Sequence, residues 1–194
     1  MLKINGIVKN KEFKKILKYV LKNSSSKTTI VEIFGVDGAG KSYLVKKIIK
    51  ELKKKGEIKI FHLWNLKTKQ NSKTITPYQS DNYSYLTSLA KEFYIICRMI
   101  LFVLITSNFF KKKKFYIFER SIYDLVIDPE RYRISHKPIM IKKIYNLFYK
   151  NTKKIYLNIP YSLSKKRKNE ISKKKYLYLT KKLNKYFKKK VHEL

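Results

Sequence analysis

Thr28-Thr-Ile-Val-Glu-Ile-Phe-Gly-Val-Asp-Gly-Ala-Gly-Lys-Ser42 is the stretch from which the rest of the chain can be read. Thr28–Phe34 (TTIVEIF) is a short, β-branched, largely apolar run that predicts a buried strand ending at Gly35. Gly35–Ser42 fits the phosphate-binding pattern G-x-x-x-x-G-K-S/T, and Ser42–Lys55, stopped by Gly56, carries a helical pattern. A strand before and a helix after are the setting in which such a loop works. Gly38 and Gly40 permit backbone angles that turn successive N–H groups inward, forming an anion nest at a helix N-terminus. Lys41 supplies a point charge for the β- and γ-phosphates of a nucleotide, and Ser42 a hydroxyl for Mg²⁺. The main-chain cradle is expected over Gly35, Gly38, Ala39, Gly40, Lys41 and Ser42. Three of the five glycines in the chain fall within these eight residues.

Outward from the loop, strands and helical patterns alternate. Phe13, Ile16, Leu17, Val20 and Leu21 recur at helical spacing, and Asn23–Lys27 (NSSSK) reads as a linker, so residues 1–27 are expected to be a helix and linker preceding a domain at 28–194. Ile58–Trp64 is a second strand, Asn65–Asn82 a long polar loop, and Tyr83–Phe110 mostly helix. Lys114–Glu119 is a third strand, Pro138–Tyr149 a helix, and Lys154–Ile159 a fourth strand closed by Pro160. Leu163–Glu170 and Tyr176–Lys190 are helical. Such alternation predicts an α/β fold of three α/β/α layers around a parallel sheet.

Composition narrows the classes. The chain has 194 residues, 44% hydrophobic and 14% aromatic, which is enough for a core. One cysteine, Cys97, excludes a disulfide framework and a thiolate metal cluster, and Cys97 itself reads as core. The N-terminus has no secretory pattern, so a cytoplasmic protein is expected. Net charge is +34, yet only five of the 47 basic residues are arginine, the better fork for phosphates and base edges. Lysine-rich composition alone accounts for most of the charge, and a nucleic-acid partner is the lesser reading. Phe93–Phe110 is nearly all apolar but holds Arg98, so a long core helix is preferred over a membrane span. A peripheral membrane contact stays open.

Rare residues carry information in such a chain. Phe118–Arg133 (FERSIYDLVIDPERYR) ends the third strand and holds three of the five arginines. In open parallel sheets ligands sit at the carboxyl ends of strands, so Glu119 would stand beside the phosphate loop as an oxygen ligand for Mg²⁺, with Arg120 facing the same crevice. Asp124, Arg131 and Arg133 are candidates for holding an acceptor. In Ser164–Glu170 (SKKRKNE), Arg167 is the candidate for neutralising charge on a transferred phosphoryl group. Asp37 completes the catalytic set of Lys41, Arg120, Glu119 and Arg167. His62 reads as strand-end packing, having no second ligand at metal spacing.

These residues resemble the thymidylate kinase-like branch of P-loop nucleoside and nucleotide kinases. Gly35–Ser42 with Asp37 is similar to that branch's phosphate loop, Phe118-Glu-Arg to its acidic-Arg strand end, and Asp124–Arg133 (DLVIDPERYR) to a bacterial subgroup often associated with surface-polysaccharide genes. His62-Leu63 and Arg167-Lys168-Asn169-Glu170 fall where that subgroup has a His-Leu element and a basic lid. The resemblance spans about residues 28–190. It implies a P-loop kinase fold that uses ATP and Mg²⁺ to phosphorylate a nucleoside monophosphate or similar small acceptor, with a nucleoside triphosphate and a phosphorylated acceptor as partners. A homodimer is a further expected partner. The family's fifth strand follows the last helix; here only Val191–Leu194 remain, so that strand is expected to be missing or a stub. The alternatives are a non-catalytic or truncated nucleotide-binding protein, and a kinase of another small molecule linked to surface-polysaccharide synthesis.

Overall fold

The computed structural model describes residues 1–22, 28–61, 78, 81–107, 114–149, 152–168 and 171–189. The chain divides into two compact units. One comprises Met1–Phe61, Phe110–Ser121 and Thr152–Leu194, and the other His62–Phe109 and Ile122–Asn151.

The first unit contains a five-stranded sheet. Its strands are β1 (Leu2–Asn5), β2 (Thr28–Phe34), β3 (Glu57–Phe61), β4 (Lys114–Phe118) and β5 (Lys153–Asn158), in the spatial order β1-β5-β2-β4-β3. Every pairing is parallel. All five residues of β4 are buried, although alternate side chains point to opposite faces, so the sheet is covered on both sides there. This is the α/β parallel-sheet fold the sequence pattern predicts, with β2 lying at Thr28–Phe34 as expected.

The sheet holds one more strand than the four read from the sequence, and it comes from the N-terminal end of the chain. Leu2–Asn5 pairs with Ile155–Asn158 of β5 and forms the sheet edge. Leu2 and Ile4 are buried while Lys3 and Asn5 are exposed, the alternation of an edge strand with one covered face. The pairing continues past the strand, where the Gly6 amide donates to the Asn158 carbonyl at 2.7 Å and Asn158 Nδ2 to Asn5 Oδ1 at 3.0 Å. Four residues are too few to show a period, which is why the stretch reads as mixed in sequence. Residues 1–27 therefore hold a sheet strand besides their helix, α1 (Asn10–Leu21). The expected stub at Val191–Leu194 lies outside the described residues.

Helices α2 (Lys41–Leu52), α6 (Tyr161–Arg167) and α7 (Lys173–Lys189) complete this unit. Tyr176, Leu179, Leu183 and Phe187 of α7 are buried at 3–4 spacing. The Phe187 ring meets Phe34 at 5.2 Å and Tyr156 at 4.9 Å, so Tyr176 and Phe187 are core residues, whereas Tyr178 stays about half exposed with Lys182 over its ring. Lys114, nearly buried on β4, is paired at 3.3 Å with Glu57 of β3.

The second unit is helical: α3 (Tyr85–Ser107), α4 (Tyr123–Ile127), a 3-10 turn at Glu130–Tyr132, and α5 (Ile139–Phe148). α3 packs on α5, with Phe102 stacked on Tyr149 at 6.2 Å. Ile95, Ile96, Met99 and Phe102 are buried, whereas Phe93, Leu101 and Leu104 are more than half exposed. α3 thus buries one face only, and Cys97, expected in the core, is half-buried. Among the described residues no helix is long and apolar enough to cross a membrane. The strand expected to run on through His62–Trp64, the loop at 65–77 and the linker at 23–27 lie outside the described residues.

Because Ile4 is 4% exposed on an edge strand, Ile4→Ala is expected to cost about 2–5 kcal/mol, read as a lower urea midpoint at unchanged slope. A loss below ~0.5 kcal/mol would show that Leu2–Asn5 is not part of the sheet in solution.

Candidate active site

β2 runs into the glycine-bearing loop, and the loop runs into α2. Gly40 is the residue before α2 and has φ 88°. The amides of Lys41, Ser42 and Tyr43 stand in the first helical turn, where the helix itself supplies no acceptor. They add the partial positive charge of a helix N-terminus to the loop. Gly38, with φ +76°, is required twice over: a Cβ there would also lie 2.7 Å from the Ser164 carbonyl oxygen of α6.

A cavity of about 280 Å³ opens on this loop. It is lined by Asp37, Gly38, Ala39, Gly40, Lys41, Ser42 and Tyr43, by Glu119 and Arg120 at the end of β4, and by Arg167 and Lys168 at the end of α6. The lining holds four cations against two carboxylates, which favours an anion. Its volume lies at the low end of ligand pockets, ~300–1,000 Å³, suited to a phosphate chain more than to a whole nucleoside triphosphate.

The cations are already partnered within the loop. Lys41 Nζ donates to the carbonyls of Gly35 at 2.6 Å and Val36 at 3.1 Å, and lies 3.9 Å from Asp37. Arg120 Nη2 donates to Asp37 Oδ1 at 3.3 Å, and Arg167 Nη1 to the Gly38 carbonyl at 3.3 Å. Ser42 Oγ donates to Glu119 Oε1. A hydroxyl and a carboxylate oxygen in direct contact are the hard donors that Mg²⁺ takes, so the pair fits the ion, with phosphate oxygens and water supplying the remaining ligands.

Every residue expected in the catalytic and metal set, Asp37, Lys41, Ser42, Glu119, Arg120 and Arg167, lines this one cavity. Of the expected cradle, Gly35 contributes a carbonyl to Lys41, and the other members line the cavity wall. The expected acceptor residues lie in the second unit. Asp124 is in α4, where its carbonyl accepts the Asp128 amide at 2.8 Å. The Arg131 guanidinium lies over the Tyr78 ring at 5.8 Å, and Tyr78 Oη donates to Asp128 Oδ2 at 2.5 Å. Arg133, with φ 58°, lies over the Tyr83 ring at 4.1 Å, and its Nε donates to the Asp81 carbonyl at 2.7 Å. Lys91 joins this group by donating to the Tyr132 carbonyl at 2.7 Å; burial, and then Arg133, hold its pKa below the usual lysine value. His136 and Glu92 meet at 2.6 Å nearby in the same unit. Asn169 and Glu170 of the expected lid, and His62, lie outside the described residues.

Two contributors escape sequence reading. Ser164, 1% exposed, donates from Oγ to the Asp37 carbonyl at 2.6 Å, tying α6 to the loop tip. Glu32 is a carboxylate inside β2, and its only sequence signal is an acidic residue in an otherwise apolar run.

No protein-family model matches the chain, and no curated protein matches it. Among solved structures, it is similar to deoxyadenosine kinase from M. mycoides with bound dATP, at 18% identity over 86% of this chain and 87% of that one, with a TM-score of 0.49. It is similar also to the same kinase with the products dCMP and a flexible dCDP bound, at 20% identity over 86% of each chain and a TM-score of 0.41.

Gly38→Ala meets both a left-handed backbone and the Ser164 carbonyl, so it is expected to cost about 1–3 kcal/mol more than Gly6→Ala in chemical denaturation. Gly6→Ala, at φ +82° with nothing within 4 Å, is expected to cost only the backbone part, about 1–2 kcal/mol. Equal losses at the two positions would mean that α6 does not rest on the loop.

Proposed function

We propose that the protein is an ATP- and Mg²⁺-dependent phosphotransferase that moves the γ-phosphoryl group of ATP to a nucleoside monophosphate or similar small acceptor, in the manner of thymidylate kinase-like enzymes. The observation that carries this reading is the convergence of Lys41, Arg120, Arg167, the first-turn amides of α2 and the Ser42–Glu119 pair on one small cavity. Phosphoryl transfer asks a protein mainly to position groups and to neutralise charge spreading over the transferred oxygens, and these groups are suited to both tasks.

Lys41 bonds to carbonyls of its own loop. A β,γ-phosphate in the nest would compete for it as a stronger, charged acceptor. Arg120 and Arg167 approach the loop from β4 and from α6, so they could hold equatorial oxygens from two sides. Ser42 and Glu119 would hold Mg²⁺, which would supply positive charge to the phosphate oxygens. Asp37 faces Arg120 and Lys41, an arrangement for holding cations in place. A monophosphate acceptor needs no base, because its attacking oxygen is already anionic; for a hydroxyl acceptor Asp37 or Glu119 would be the candidate base. Asp124, Arg131 and Arg133 are proposed to hold the acceptor.

The non-catalytic alternative is favoured by a missing fifth strand after the last helix; β1 occupies one edge of the sheet, and Val191–Leu194 lie outside the described residues. A kinase of another small molecule linked to surface polysaccharides differs only in the acceptor.

Transfer of radiolabelled γ-phosphate to a panel of nucleotides, nucleosides and sugars tests the reading. Lys41→Ala is expected to weaken ATP binding by about tenfold or more, the loss of a charge-assisted hydrogen bond worth ~1.5–3 kcal/mol, and to lower transfer further. ATP binding without transfer to any acceptor would overturn the kinase claim, and ATP binding indifferent to Lys41→Ala would overturn the site.

A further inference from the structure

Glu32 lies in the middle of β2 and is 1% exposed. Its carboxylate accepts from Ser121 Oγ on one oxygen and from Thr152 Oγ1 on the other. Its register partner on β4 is Phe118, and on β5 it is Lys154, itself 1% exposed. An ionisable group this deep needs partners, and here hydroxyls arrive from the exit of β4 and from the entrance of β5. Buried charge adds little net stability compared with well-packed apolar side chains. What it can supply is direction, since its two oxygens are bound by hydroxyls from the ends of two different strands.

The direction bears on the cavity. Ser121 comes immediately after Glu119 and Arg120, and it is fully buried. Glu119 reaches Ser42, and Arg120 reaches Asp37. Glu32 also stands three residues before Gly35, on the strand that carries the loop. Both halves of the Ser42–Glu119 and Asp37–Arg120 contacts are therefore suspended from the same carboxylate.

We infer that Glu32 is a positioning residue: by gripping Ser121 it fixes the exit of β4, so that Glu119 and Arg120 arrive in register with Ser42 and Asp37. The consequence for transfer rests on the phosphotransferase reading; the placement of the β4 exit does not. Glu32 does not line the cavity and acts through the segment it holds.

Hydrogen–deuterium exchange of the intact chain decides the placement, with Glu32→Gln, and with Ser121→Ala to remove the grip from the other side. Either variant is expected to speed exchange at 119–122 at least tenfold while α7 stays within twofold. Exchange that rises equally in α7, or rises nowhere, in both variants would overturn the inference. In γ-phosphoryl transfer, Glu32→Gln is expected to lower kcat about tenfold with KM for ATP within twofold, and to add less than tenfold in an Arg120→Ala background, where only the Glu119 half of the placement is left to lose. A full additional loss in that background, or a rise in KM alone, would overturn it as well. Wild-type protein that binds no triphosphate would instead overturn the phosphotransferase reading, leaving exchange to judge Glu32.

Discussion

The loop between β2 and α2 rests against the start of α6 with no room for a methyl group between them. A Cβ on Gly38 would meet the Ser164 carbonyl at 2.7 Å, while Ser164 Oγ holds the Asp37 carbonyl and Arg167 the Gly38 carbonyl. On the other side the loop is held by the β4 exit, through Glu119 to Ser42 and Arg120 to Asp37. The loop is therefore clamped between the segment leaving β4 and the segment leaving β5, the two strands that flank β2 in the sheet. Parallel pairing is what makes this clamp available. With all strands pointing the same way, the chain leaves β2, β4 and β5 at one end of the sheet, and polar groups that are distant in sequence collect there.

Much of this arrangement was legible in the residues. The Thr28–Phe34 strand and the eight residues after it have a local signature, in which residue types alone dictate a strand, a tight loop and a helix N-terminus. Glu119, Arg120 and Arg167 could be singled out because arginine and acidic residues are scarce in a chain with 47 basic residues, most of them lysine. Glu32 and Ser164 could not. Their importance lies in whom they meet across the sheet, and a single acid or serine has no periodic or spacing signal to give that away. Leu2–Asn5 escaped for a similar reason, since a four-residue edge strand is defined by its partner and by little of its own composition.

The two units divide the chemistry as well as the chain. The first carries the glycine-bearing loop and the cations around it. The second carries the stacked guanidinium–tyrosine pairs, Arg131 with Tyr78 and Arg133 with Tyr83. It was also expected to contribute a deeply buried helix, yet α3 keeps Phe93, Leu101 and Leu104 largely exposed. Hydrophobic run length predicted the helix correctly but could not say how many of its faces are covered.

The N-terminal edge strand also bears on the order in which the sheet can be completed. Asn5 and Asn158 meet although 153 residues separate them in the chain. Among the described strands β1 pairs only with β5, so during synthesis Leu2–Asn5 is made long before the strand that receives it. Closing so large a loop has a high entropic cost, and contacts of this sequence separation form late. β2, β3 and β4, by contrast, can pair as soon as Phe118 has been made. The sheet can thus assemble from β2, β3 and β4 outward, with β1 joining once β5 has been made.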